Sequence, residues 1–324
     1  MERKLVNLVK GALQFICIAG FIMAISLPAS AASIPIINYS FEDPAVSPGC
    51  WTTSINEWVI TDGEGDRGAG VWRPTADQSS TAFVEGIPHG FQVGWSNGGD
   101  ITQTLPANLT PGHRYTLSVW IGGRPGFSGI DYAFILAGDS TLISQQTGEN
   151  YPNTWSMVTI TYTSLPGDGN AGKPLAIKLI NTEGGQLNFD KVTLDEVFVL
   201  TCTGFLPPFD KPLTLKKKDK RAIPVKMVLH DLFGNIITDA DITPPVINVT
   251  YGSSETILGY DADLVPPGLS DNGNAFRYDP LGQVWIINLA TKQFTAQGLY
   301  TVTVKPGDDS YVIEGCSQTF TRLP

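Results

Sequence analysis

FVEGIPHGFQVGWSNGGDITQTLPANLTPGHRYTLSVWIGGR, residues 83–124, carries the plainest strand pattern in the chain. Apolar and polar residues alternate along it, and the alternation breaks at clusters of Gly and Pro. The clearest segment is 114–121. There Tyr115, Leu117, Val119 and Ile121 fall on one face, and Arg114, Thr116, Ser118 and Trp120 on the other. Successive side chains of a strand point to opposite faces, so a period of two marks a strand buried on one side. The first set is predicted to face inward. Trp120, a large aromatic, is left on the polar face.

On either side, short strand signals recur at 34–41, 58–61, 69–73, 81–85, 91–95, 100–105, 131–137, 155–163, 174–181 and 186–200. In 155–163 the inward set is Val158, Ile160 and Tyr162. The chain carries 34 Gly and 23 Pro in 324 residues, which favours strands joined by tight turns. No stretch sustains apolar spacing at three and four residues, so a helical core is not expected. Length predicts two domains. Strands at this spacing predict an all-β protein, a jelly-roll β-sandwich followed by a smaller immunoglobulin-like sandwich.

Residues 1–31 read as a secretory signal peptide. Arg3, Lys4 and Lys10 precede an apolar run over 11–27, and Ala29-Ser30-Ala31 offers a small-residue cleavage site. Export is therefore expected, to an extracellular or cell-surface location with no integral span after processing. Removing that segment leaves 18 basic against 30 acidic side chains, a net charge of −12. Such a balance argues against nucleic acid as a partner. Cys50, Cys202 and Cys316 remain. Cys202 with Cys316 is the favoured disulfide because the two bracket the second half, and Cys50 with Cys202 is the rival; spacing leaves both open.

Two motif matches do not survive their context. Gly94-Trp95-Ser96-Asn97-Gly98 has the serine-hydrolase pattern, but the chemistry needs a strand–turn–helix, and another strand follows here. Gly63-x-Gly65-x-x-Gly68 carries Glu64 and Asp66, which repel a pyrophosphate. His89, His113 and His230 lack metal-ligand spacing.

Four motifs then fall in a familiar order: Asn38-x-Ser-Phe-Glu42, Gly98-Gly-Asp-Ile-Thr-Gln-Thr-Leu105, Leu109-x-x-Gly-x-x-Tyr-Thr-Leu117 and Phe189-Asp190-x-Val-x-Leu194. The set resembles bacterial galactose-binding-like jelly rolls, close to carbohydrate-binding modules and to exported domains found with PEP-CTERM sorting tails. The resemblance covers residues 32–201. It implies a structural calcium held by Glu42 and Asp190, with Asp195 a third ligand; hard oxygen donors suit that ion. In the second half, Ile-Pro-Val-Lys-Met227, Asp-x-x-Gly-Asn235 and Gly-x-Tyr-Thr-Val302 resemble the bacterial PxKF-type immunoglobulin-like domain over 202–324, behind a proline-rich connection at 204–212.

Sugar binding needs aromatic faces with a few amides or guanidinium groups beside them. Trp72, Trp95 and Trp120 are the expected platform, with Asn97 and Arg124 as polar partners. Trp58, Gln103 and Asp131 are further candidates. The function expected on these grounds is that of an exported, non-catalytic carbohydrate-binding protein attached to polysaccharide or surface glycan. The alternative is an adhesive or structural surface protein that binds cell-surface proteins. A hydrolase is the remotest reading, since no facing pair of carboxylates stands out.

Overall fold

The computed structural model describes residues 32–61, 68–83, 85–124, 131–138, 141–148, 154–182, 185–216, 219, 222–252, 257–258 and 273–324. Residues 1–31, expected to be an export signal, and the acidic 62–66 loop lie outside the described residues. Among those described, the strands form three sheets of eleven, five and five strands. The architecture is all-β, as the alternation predicts.

The first sandwich closes one end of the large sheet over a sheet ordered Val59–Thr61, Asp100–Asn108, Pro174–Asn181, Asp131–Ala137 and Thr141–Gly148. The strand His113–Gly123 buries Tyr115, Leu117, Val119 and Ile121 between the layers, against Ile135, Ile177 and Phe189. Each such aliphatic side chain contributes about 1.5–3 kcal/mol on burial. The second sandwich packs Met227, Val249, Trp285, Tyr300 and Phe320 into a separate core.

One strand serves both. Leu187–Leu206 runs for 20 residues, with Leu194 in the first core and Leu200 in the second. The proline-rich connection expected from 204 therefore begins later, since Gly204, Phe205 and Leu206 still belong to this strand. The strand Tyr311–Glu314 pairs with it in parallel at Phe198–Thr201, and an Arg114–Glu314 ion pair joins the two halves.

Two local expectations change, and the edge position that a proline on a strand requires is met. Residues 81–85 are not a strand: Ala76–Ala82 is a short helix, started by a capping box in which Thr75 and Gln78 satisfy each other's backbone N–H groups. The opening strand is only Ala32–Ile34, because Asn38 and Phe41 adopt φ of 53° and 58° and coil the chain into turns. Pro224 lies on Ala222–Asp231, an inner strand; the neighbouring Leu187–Leu206 strand stops opposite Lys226, so the position is locally an edge. Among the described residues no helix is long and apolar enough to cross a membrane.

Candidate functional site

Sheet register assembles the site. Trp155, Gly122, Asn188, Trp95 and Gly70 stand opposite one another across five neighbouring strands, and Trp51, Trp72 and Val93 do the same beside them. Opposed residues in an antiparallel ladder point to the same side. Five of the seven tryptophans, Trp51, Trp72, Trp95, Trp120 and Trp155, thus share the outer face of the large sheet, away from the sandwich core. Glycine makes this packing possible: a Cβ on Gly122 would lie 2.8 Å from the Trp155 ring.

Trp51, Trp72, Trp95, Asn97, Arg124 and Gln186 line a cleft of about 300 Å³ on this face. Trp51 forms the exposed rim, edge-on to Trp95 with ring centroids 5.9 Å apart. The Arg124 guanidinium lies 4.5 Å over the Trp72 ring and donates to Gln186 Oε1. Burial lowers its pKa, yet a guanidinium keeps its charge. Trp95 Nε1 and Asn97 Oδ1 are buried and find no hydrogen-bond partner among the described residues. A donor and an acceptor are therefore left unsatisfied inside an aromatic cleft, at a cost of about 1–3 kcal/mol each unless a ligand completes them.

Of the residues singled out in the sequence, Trp72, Trp95, Asn97 and Arg124 are brought together here. Trp120 lies on the same face outside the cleft, half-buried against the cluster of Trp72, Phe83 and Trp155. Trp72 and Trp95 are 5% and 6% exposed, so they are walls of a pocket and not an open platform. Arg124 is half-buried. Trp58 belongs to the first core, and Gln103 is occupied with the backbone of Ile37 and Glu57. The Asp131 side chain lies outside the described residues. Trp51 and Gln186 were missed; each sits within two residues after a glycine, but strand register is what brings them into the cleft.

Ser96 of the hydrolase-like motif is fully buried. Its hydroxyl donates to Gly99 O (2.7 Å) and accepts from Gly98 N (3.0 Å), so it closes a turn.

The proposed calcium ligands separate into a pair and an outlier. Glu42 Oε1 accepts from the backbone N–H of Phe91 and of Gln92, both at 2.8 Å. Asp190 is fully buried and accepts from His89 N and Lys191 N, both at 2.7 Å. Burial pushes Asp190 up to about 8; the two N–H groups oppose the rise and the charge of Glu42 adds to it. Burial, with the nearby charge of Glu42, favours the protonated form of Asp190. Asp195 sits five residues further along the strand, between Ser33 and Thr116, and does not reach them. Among the described residues no three His, Cys, Asp or Glu side chains cluster. Cys202 is bonded to Cys316 with Cα atoms 5.3 Å apart, and Cys50 is free and exposed.

A family model described as HpiC1 cyclase (HpiC1-like) matches residues 32–195. An apo cyclase from Fischerella sp. is 27% identical with a TM-score of 0.46, over 52% of this chain and 97% of that one. A cyclase from Fischerella sp. TAU in complex with 4-(1H-indol-3-yl)butan-2-one is 26% identical with a TM-score of 0.45, over 52% and 98%. TmCBM61 in complex with β-1,4-galactotriose is 13% identical with a TM-score of 0.34, over 50% and 98%. No curated protein matches the chain.

The family match corrects the functional expectation. A non-catalytic carbohydrate-binding protein, with polysaccharide or surface glycan as its partner, is replaced by a cyclase, an enzyme. The adhesive alternative, with cell-surface proteins as partners, falls with it. The physical reason lies in the tryptophans: they enclose a pocket of small-molecule size, where a glycan reader would lay them open along a groove.

Proposed function

We propose, from the premise that the chain belongs to the HpiC1-like cyclase family, that its first sandwich closes a ring in a small molecule with a planar aromatic nucleus. The cleft of Trp51, Trp72 and Trp95 binds that molecule. The observation that carries this reading is the unsatisfied pair in an aromatic pocket. Trp95 Nε1–H is a donor for an acceptor atom of the substrate, and Asn97 Oδ1 is an acceptor for its N–H or O–H.

Ring closure of this kind is an isomerisation. One σ bond forms within the substrate as one π bond is consumed, and any proton taken up at one atom is released from another. What the protein must supply is a folded conformation that holds the two ends in contact, and stabilisation of the charge that develops. Stacking between the tryptophan walls restricts the substrate to few conformers. Their π faces stabilise positive charge on it, and the Trp95 N–H stabilises negative charge on an acceptor atom. Titration with 4-(1H-indol-3-yl)butan-2-one, followed by tryptophan fluorescence, is expected to give saturable quenching in the micromolar to millimolar range. No saturable signal would overturn the cleft as the site.

Calcium is proposed as a structural ion between Glu42 and Asp190, which fit it as hard oxygen donors. Gly90 lets the Glu42 carboxylate lie against the backbone, since a Cβ there would lie 2.2 Å from Glu42 Oε1. Asp195 does not fit. A bound ion would tie the opening turns to the long strand. At 100 times its Kd such an ion adds about 2.7 kcal/mol. Chelation is therefore expected to lower the melting temperature by roughly 5–10 °C; an unchanged melt with and without chelator sinks the site. Secretion through residues 1–31, domain limits of 32–201 and 202–324, and PxKF-type identity for the second sandwich stand as further proposals. N-terminal sequencing of secreted protein tests the first.

A further inference from the structure

We propose that the same sheet face carries a second, inner subsite between Trp155 and Asn188, which takes a hydroxyl or similar group of the bound molecule that both accepts and donates a hydrogen bond. It rests on the cleft being the substrate site and deepens it. Trp155 Nε1 and Asn188 Oδ1 are buried, and neither has a hydrogen-bond partner among the described residues. Their residues are 7% and 0% exposed. One is a donor and the other an acceptor, they flank Gly122 on the same face, and they are not bonded to each other.

A purely structural role explains this poorly. Phe and Leu would fill the same space without leaving two buried polar atoms unpaired, and buried polar groups are nearly always satisfied. Asn188 is held in place by its amide nitrogen, which donates to Gly122 O at 3.4 Å and leaves Oδ1 for another partner. The bare Gly122 lets the Trp155 indole lie on the sheet. Phe83, fully buried with its ring 4.6 Å from that of Trp155, closes the far end. Asn188 is one strand from Trp95, and Gly122, beneath the Trp155 ring, is two. At the usual strand spacing the inner pair lies about 5–10 Å from the Trp95 wall, within the length of a four-carbon side chain on an aromatic nucleus.

Three probes that differ in one group test the inference: 3-butylindole, 4-(1H-indol-3-yl)butan-2-one and 4-(1H-indol-3-yl)butan-2-ol. The full chain is expected to bind the alcohol about tenfold more tightly than 3-butylindole. Trp155→Phe, which deletes the N–H and keeps a smaller aromatic ring in its place, is expected to remove that advantage while 3-butylindole still binds. Asn188→Ala reads the same difference if Trp155→Phe fails to fold. In the ¹⁵N-labelled protein, the Trp155 indole N–H resonance is expected to move with the alcohol and stay with 3-butylindole. Three probes that bind equally to wild type, or a Trp155→Phe loss equal for all three, overturn the inner subsite while the cleft stands; so does a fixed water held by the pair, seen as a resonance none of the probes moves. Binding of none of the three overturns the cleft itself, and the subsite with it.

Discussion

A Trp95→Leu, Asn97→Ala double variant is expected to bind 4-(1H-indol-3-yl)butan-2-one about 100-fold more weakly than the wild type, a loss of ~2.7 kcal/mol. Trp95 supplies both a wall of the cleft and its unsatisfied donor, and Asn97 the acceptor beside it. A buried aromatic anchor at the centre of a site typically costs about 2 kcal/mol or more when truncated. A lost hydrogen bond adds roughly 0.5–1.5 kcal/mol. Trp95→Phe separates the two contributions, keeping the wall and deleting the N–H; a loss of about tenfold is expected. Melting curves show whether each variant is folded. Folded variants with wild-type affinity would remove the cleft from consideration.

Replacing Cys202 and Cys316 together by Ala is expected to cost about 3–5 kcal/mol of stability. The bond joins residues 114 apart in sequence, and closing a loop of that length removes much entropy from the unfolded chain. Both cysteines are buried in the second core, with the sulfur of Cys316 3.5 Å from that of Met227, so packing is lost as well. Hydrogen exchange locates the effect. Amides of Gly298–Lys305 and Ser317–Arg322 are expected to lose protection first, ahead of those of Val93–Ser96. A destabilisation below about 1 kcal/mol, or one spread evenly over both sandwiches, would contradict this assignment.

Much of the fold was legible because burial on one side of a strand writes itself into the sequence. Tyr115, Leu117, Val119 and Ile121 are an example, and all four are buried. The misread segment at 81–85 shows the limit. Ala82 and Phe83 are buried whether the chain is helical or extended, and a seven-residue helix is too short to display its period. What decides for helix is the Thr75–Gln78 capping box, a signal lying upstream of the apolar residues.

The candidate site was legible only in part. Trp72, Trp95, Asn97 and Arg124 are notable in any reading, as aromatic or polar residues beside glycine turns. Trp51 and Gln186 also follow glycines, but 135 residues separate them and only the ordering of strands unites them. Enzyme class was illegible for a related reason. No nucleophile, base pair or metal motif announces the cleft; it consists of indole rings, an amide and a guanidinium, residue types equally at home in a sugar reader. Asp190 stood out only through the family resemblance, as a calcium ligand, and its complete burial did not, because burial of a polar residue has no sequence signature of its own.

The long strand Leu187–Leu206 has a consequence for synthesis. Its first half pairs with Val93–Ser96, His113–Gly123 and Ala32–Ile34, all of which leave the ribosome before it. Its second half pairs with Ala222–Asp231 and Tyr311–Glu314, which do not yet exist at that moment. The cyclase half can therefore close while a row of backbone donors and acceptors from Leu200 to Leu206 protrudes without neighbours. A bare edge of that kind is a template for pairing between nascent chains. Whatever else the second sandwich contributes, its arrival caps that edge.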